Sequence, residues 1–416
     1  MKNYVNVLGI HCGHDSGAAI IQNGKIIAAI NEERILNVKH YLGTPAKSIE
    51  EVFKISKINP SQIDLISITG IAEVSKPSNS DLMPVFAQLY FTWNPISMNP
   101  TSAPSFMYYN QRFRNIDEIK NILSKIKVPI KEIMFVEHHL AHAATAYYLS
   151  PWNLDEEILV FTADAAGDGL SSTVSVAHKG QINRIKNSES TYYNSLGYSF
   201  YGEITNYLGM KEGDHEYKVM GLAPYGKSEY CYDKIKQIID IDESNPLKFK
   251  NKMDTFKPLF QVKLHNLLAG QRFDNIAAAT QQWFENLVTR WIKNAIKQTG
   301  IHKIACSGGS FLNVKANQKI LSLPEVDDTF FCPAAGDDGL AVGAALIGYF
   351  EMTIMSGRKP EKTSLQSIYF GTAFSNDEIS EILKKHDLLK NSQYFDNIDE
   401  EVGELLSKND TIVARF

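Results

Sequence analysis

Residues 137–144 read Glu-His-His-Leu-Ala-His-Ala-Ala and follow Ile133-Met134-Phe135-Val136, an apolar run with the length of a buried strand. The small residues that continue to Tyr148 predict a helix. On that helix His138 and His142 are four apart, so their rings lie on one face, a common first half of a transition-metal site. A zinc-protease reading fails, because His139 stands where that motif needs Glu. Two structural histidines with satisfied hydrogen bonds are the alternative. Two further stretches could do chemistry. Ile304-Ala305-Cys306 reads as a strand entering Ser307-Gly308-Gly309-Ser310, with a helix predicted over 313–321. That layout suits a phosphate, since paired glycines allow close backbone approach and free N–H groups favour an anion. Pro333-Ala334-Ala335-Gly336-Asp337-Asp338-Gly339 places two carboxylates at a helix start. One acid is explained by an N-cap; an adjacent pair suits a metal ligand better.

The elements that must position these groups form a repeat. Strands are predicted at 5–10, 18–21 and 25–30, with a Gly-punctuated turn at 11–17 and a hairpin at Asn23-Gly24. The same order recurs at 158–164, 173–177 and 181–185, again with an acidic turn after the first strand. Such a duplicated unit is how actin-like, sugar-kinase-type chains present loops from two lobes. A helix is expected at 50–58 and a strand at 64–68. A long amphipathic helix, capped by Asp274 or Asn275 and ended by Gly300, carries Ile276, Trp283, Leu287, Trp291 and Ala295 on one stripe and reads as core. Gly213 to Gly226 is dense in ionisable groups and glycines. Residues 74–115, rich in Pro, Ser, Asn, Met and aromatics, read as an insertion or a substrate-covering segment. Lys359-Pro360 marks a linker, after which 376–416 reads helix, loop, helix, strand.

Composition narrows the class. The 416 residues, 44% hydrophobic and 21% charged, are those of a globular multi-domain protein. A net charge of −5 argues against a nucleic-acid surface. Four scattered cysteines fit a reducing compartment, and the N-terminus shows no signal-peptide pattern, so a cytoplasmic location is expected. The apolar segment 339–350 is about half a membrane span and reads as a buried helix.

Five ordered motifs carry a family resemblance: GHDSGAA at 13–19, HHLAHA at 138–143, EYKVMGLAPYG at 216–226, CSGGSFLNVKAN at 306–317 and PAAGDDGLAVGAA at 333–345. Together they resemble the NodU/CmcH-type O-carbamoyltransferases. The resemblance implies an α/β fold: a duplicated actin-like (ASKHA/RNase H-like) domain over 1–358, its second repeat starting near 157. The start of a truncated YrdC-like α/β domain would follow over 359–416. In this family the YrdC-like domain makes carbamoyl-adenylate from carbamoyl phosphate and ATP. The actin-like domain then moves the carbamoyl group onto a hydroxyl of a small-molecule acceptor beside an iron ion. Carried over, His138, His142, Asp164 and Asp337 are the ligands of Fe(2+) or another divalent metal, with Asp337 preferred over Asp338. Asp15 is expected at the acceptor hydroxyl as base or orienter, with His14 beside it. Lys39 and His40 are candidate contacts to the carbamoyl group, an ordinary solvated pair being the alternative. Gly308, Gly309, Asn313 and Asn317 line the nucleotide. Expected partners are hydroxylated natural products or sugars and carbamoyl-adenylate, with no nucleic acid and no membrane; a homodimer is compatible.

The family's Arg-containing FGPRALGNRS-like stretch and the rest of its YrdC-like fold do not follow residue 416. A fragment, an adenylate-forming half supplied elsewhere, and lost activity all fit that departure. Two rival classes stand beside the transferase: a nucleotide- and metal-binding actin-like module without catalysis, and a small-molecule kinase of the same superfamily. The kinases need no histidine pair at this spacing.

Overall fold

The structure, a computed structural model, describes residues 4–70, 116–255, 259–408 and 413. The expected substrate-covering segment 74–115 and the strand expected at 411–416, Val413 apart, lie outside the described residues. The chain divides into two compact units, residues 1–371 and 372–416.

In the first unit β1 (Asn6–His11), β2 (Gly17–Gln22), β3 (Lys25–Asn31), β4 (Leu65–Thr69) and β5 (Ile133–Val136) form one sheet in the order β3-β2-β1-β4-β5. The first three strands are antiparallel, while β4 and β5 add in parallel. The second sheet repeats this and adds a two-residue strand, Ser190–Thr191, off the main path. β6 (Ile158–Gly167), β7 (Leu170–His178), β8 (Gln181–Arg184), β9 (Lys303–Ser307) and β10 (Asp328–Phe331) take the order β8-β7-β6-β9-β10, with the same antiparallel and parallel pairings. Two copies of one five-stranded topology make this a duplicated actin-like fold. Asn23 and Gly24 take left-handed φ values in the β2–β3 hairpin, as Lys179 and Gly180 do between β7 and β8.

Each repeat ends in a helix that follows its fifth strand: α1 (His138–Tyr148) after β5 and α2 (Leu340–Met355) after β10. α2 lies against β1, β2 and β4, whereas α1 lies against β6, β7 and β9, and the two helices pack on each other. α2 is long and apolar enough to cross a membrane, but most of it is buried in this core. Close approach depends on glycine at two points. A Cβ on Gly9 would sit 2.0 Å from the Ala341 carbonyl oxygen, and one on Gly343 would sit 2.1 Å from that of Ala141. The long helix Phe273–Thr299 covers the second sheet, with Trp291 fully buried against Phe161 and Phe249. Its N-cap is Arg272, two residues ahead of the nearer capping position read from sequence, and Asp274 pairs with Arg272 inside the first turn.

The first unit runs past the expected boundary at 358. Lys362 Nζ donates to Ser150 O at 2.8 Å, Leu365 N–H to Leu149 O, and Ala29 N–H to Phe370 O. The second unit contains helices at Asn376–Lys385 and Ile398–Ser407. Its Ser375 and Glu378 form a reciprocal capping box.

Candidate metal centre and the adjoining acid–base cluster

The two repeat-ending helices start side by side, and the site lies at those starts. His138 and His142 present Nε2 atoms 3.1 Å apart. Asp164 Oδ2, from β6, is 3.2 Å from the first and 3.9 Å from the second. Asp337 Oδ1, in the turn before α2, is 3.5 and 3.4 Å away. All four atoms lie within 4.8 Å of one another. Tetrahedral ligands at bond lengths of ~2.1 Å stand about 3.4 Å apart, close to these spacings. Asp337 Oδ1 is buried without a hydrogen-bond partner. A buried carboxylate oxygen without a hydrogen bond is costly unless a cation faces it. The residues therefore fit a divalent ion of borderline softness.

The charges agree with that fit. Burial alone would disfavour a charged His138, but the carboxylates of Asp337 and Asp164 outweigh it and lift the imidazole to about 10. Asp164, although buried, is held well below the usual carboxylate range by hydrogen bonds from the two histidines. The pocket is arranged around positive charge.

Local sequence explains the placement. The Glu137 carboxylate caps α1, accepting from His139 N–H at 3.1 Å and Leu140 N–H at 2.8 Å, and Arg184 pairs with it at 2.7 Å. His138 N–H donates to Asp168 Oδ2 at 2.8 Å. Gly167 leaves room for the His138 ring, since a Cβ there would fall 2.0 Å from its Cγ.

A second cluster forms after β1. Asp15 Oδ2 is 2.9 Å from His14 Nδ1, and Asp15 Oδ1 is 2.8 Å from His40 Nδ1. His40 Nε2 reaches Asp214 Oδ1 at 2.7 Å, so one imidazole bridges two carboxylates. The His14 and His40 rings stack with centroids 4.7 Å apart. Asp15 and His40 both take left-handed backbone conformations that non-glycine residues seldom adopt. Burial pushes the Asp15 carboxyl up, but hydrogen bonds from His14 and His40 dominate and hold it at about 2. The same partner, Asp15, raises His14. Asn31 Nδ2 joins the two clusters, donating to Asp15 O at 2.8 Å and Asp338 O at 3.2 Å.

Lys39 stays apart from this group. Its Nζ pairs with Glu33 at 3.2 Å, while Glu33 Oε2 also accepts the His40 N–H at 2.9 Å. The glycine turn after β9 differs from the cradle of free amides expected there: Gly308 N–H donates to Ala335 O at 2.7 Å, and Gly309 N–H to Asp164 Oδ1 at 2.9 Å. Asn313 caps the following helix (Val314–Leu321) and exchanges hydrogen bonds with Gln281. Asn317 Nδ2 donates to Phe311 O, while Asn317 Oδ1 and Ser310 Oγ are buried without partners.

Three site residues escaped the sequence reading. Asp214 lay in a stretch noted only for its ionisable density. His11 and His139 are wholly buried, and burial lowers them to about 4 and about 3, which keeps both imidazoles neutral. Their strand and helix positions resemble ordinary core sites, so only burial marks them.

Comparison with known proteins identifies the family. The family described as Carbamoyltransferase N-terminus matches residues 6–346. Nodulation protein NolNO of Sinorhizobium fredii is 28% identical over 372 residues, covering 88% of this chain and 50% of its own length. Nodulation protein NolO of Bradyrhizobium diazoefficiens is 32% identical over 251 residues, covering 59% and 43%. An uncharacterized protein of Synechocystis, sll1178, is 27% identical and covers 91% and 62%. The chain thus spans between about half and three-fifths of the length of most of these relatives. Among solved structures, T. kodakarensis HypF aligns at 14% identity with a TM-score of 0.48, covering 84% of this chain and 48% of that one. With the family model running through both repeats, the chain belongs to the carbamoyltransferases, as a member carrying their N-terminal domain.

Proposed function

We propose that the chain transfers a carbamoyl group from carbamoyl-adenylate, itself made from carbamoyl phosphate and ATP, to a hydroxyl of a small natural-product or sugar acceptor. The observation that carries this reading is the pairing of two neighbouring sites: a buried two-His, two-Asp cation pocket, and a half-exposed Asp15–His14–His40 cluster joined to it through Asn31.

The acceptor oxygen attacks the carbamoyl carbon, the bond from that carbon to the adenylate phosphate oxygen breaks, and AMP departs. A hydroxyl is a weak nucleophile near neutral pH and needs a positioned base. Asp15, held ionised, orients the hydroxyl. His14, with Nδ1 turned to Asp15, has Nε2 left to receive the proton. His40 and Asp214 fix Asp15 from the other side. Fe(2+), or another divalent ion held by His138, His142, Asp164 and Asp337, would supply Lewis acidity toward carbonyl or phosphate oxygen. Ser310 Oγ and Asn317 Oδ1 support placing the nucleotide beside the turn of Gly308, Gly309 and Asn313, through side chains rather than glycine amides. Residues 359–416, which include the second unit, are read as the start of the YrdC-like, adenylate-forming domain.

The test supplies carbamoyl-adenylate and a panel of hydroxylated acceptors to the purified chain and follows carbamoylated product by mass spectrometry. Product that vanishes in Asp15→Asn is expected. Metal and nucleotide bound without transfer would point to a non-catalytic module, and phosphorylated acceptor made from ATP would point to a kinase.

A further inference from the structure

The Ser307-Gly308-Gly309 turn has the sequence of a phosphate cradle, yet two of its hydrogen bonds run to candidate metal ligands, His142 and Asp164. We infer that this turn is the outer shell of the metal centre and that Ser307 is a positioning residue that fixes which nitrogen His142 offers to the ion. The inference rests on the metal-site reading above and extends it to residues outside the ligand set.

The direction of the protons follows from a backbone anchor. Thr145 Oγ1 lies 2.8 Å from His142 O, and a carbonyl can only accept, so the Thr145 hydroxyl donates there. Its oxygen is then available to accept from Ser307 Oγ, 3.0 Å away. Ser307 Oγ, with its own proton directed to Thr145, accepts from His142 Nδ1 at 3.4 Å. A proton on Nδ1 leaves the lone pair of the neutral ring on Nε2, the atom that faces His138, Asp164 and Asp337. His142, Thr145 and Ser307 are all buried, so water is excluded as a competing partner. Ala335 O, also 3.4 Å from Ser307 Oγ, is the second acceptor open to that hydroxyl, and choosing it leaves the His142 bond intact.

Two residues on, Gly309 N–H donates to Asp164 Oδ1 and leaves Oδ2 toward the histidines. A Cβ on Gly308 would fall 2.3 Å from Ala163 O, so the turn presses against the strand that carries Asp164. One turn thereby orients two ligands from different repeats. Such outer-shell partners set ligand tautomer and orientation, and their loss typically costs 10–100-fold in metal affinity.

The experiment titrates Co2+ and Zn2+ alone, in competition with a chelator, into the metal-free full chain and its Ser307→Ala, Ser307→Cys and Thr145→Val variants. Circular dichroism checks the fold, and the Co2+ ligand-field bands supply a readout independent of catalysis. The expected result is a ~10–100-fold weaker affinity and shifted Co2+ bands in Ser307→Ala, partial recovery in Ser307→Cys, and a smaller loss in Thr145→Val. If Ser307→Ala does not fold, the Ser307→Cys and Thr145→Val pair decides. Folded serine and threonine variants that bind like the unmodified chain would overturn the positioning role while leaving the metal site standing. An unmodified chain that binds neither ion would overturn the site reading and this inference with it.

Discussion

The two polar clusters beside the first strand of each repeat solve the same electrostatic problem differently. At Asp15 each charge has its complement within reach: His14 and His40 flank one carboxylate, and His40 reaches a second on Asp214. At Asp164 the counterparts are buried, and Asp337 Oδ1 lacks a hydrogen-bond partner. The first cluster is internally balanced and open at His14, whose side chain is 47% exposed, which suits proton exchange with a substrate. The second is closed and holds a buried carboxylate oxygen with no hydrogen bond, which suits a resident cation. Equivalent places in a duplicated fold have thus been specialised by burial and partner count.

The strongest way to break this contrast is His138→Ala/His142→Ala. We expect elemental analysis to show loss of stoichiometric metal. Retention of metal in that variant would remove the buried cluster from consideration. Gly167→Ala comes next, because its methyl group meets the His138 ring with no room to yield. Affinity for added Zn2+ should fall about 10–100-fold, as expected when a ligand is misplaced. Asp15→Asn tests the open cluster and should lower carbamoyl transfer by about 10²–10⁴ while metal content stays unchanged. The same substitution carries a pH signature. Asp15 titrates at about 2 in the folded chain against an ordinary 3.8, so its contribution to stability is present above 3.8 and is lost as pH falls toward 2. Melting temperature across that window should be less pH-sensitive in the variant. An identical profile would remove the histidine pairing of Asp15. Lys39→Ala should do least: an exposed pair with Glu33 contributes under about 1 kcal/mol, so transfer rate and melting temperature should barely move.

Much of the scaffold was legible in the chain because it is written in short-range patterns. The two runs of strand, acidic turn, strand, hairpin and strand show the duplication, since hairpins are encoded by local turn chemistry at Asn23-Gly24 and Lys179-Gly180. The apolar stripe of the long helix marks its buried face, although its start was misjudged, because Arg272 makes no side-chain cap that a capping pattern could reveal. The expectation of free amides at the glycine turn fails for a similar reason. Paired glycines report that backbone approaches something closely, and here Gly308 approaches Ala163 and Gly309 donates to Asp164.

That His138 and His142 share a helix face follows from the chain alone, because a spacing of four is a property of one helix. The chain also brings Asp15 next to His14. Which acids complete each cluster was decided only by tertiary structure. Asp164 and Asp337 lie 26 and 199 positions from His138 and arrive through β6 and the turn before α2. Asp214 reaches His40 across 174 positions, and Ser307 reaches His142 across 165. Those encounters depend on how two sheets and two crossing helices pack, and that information is spread over the whole core.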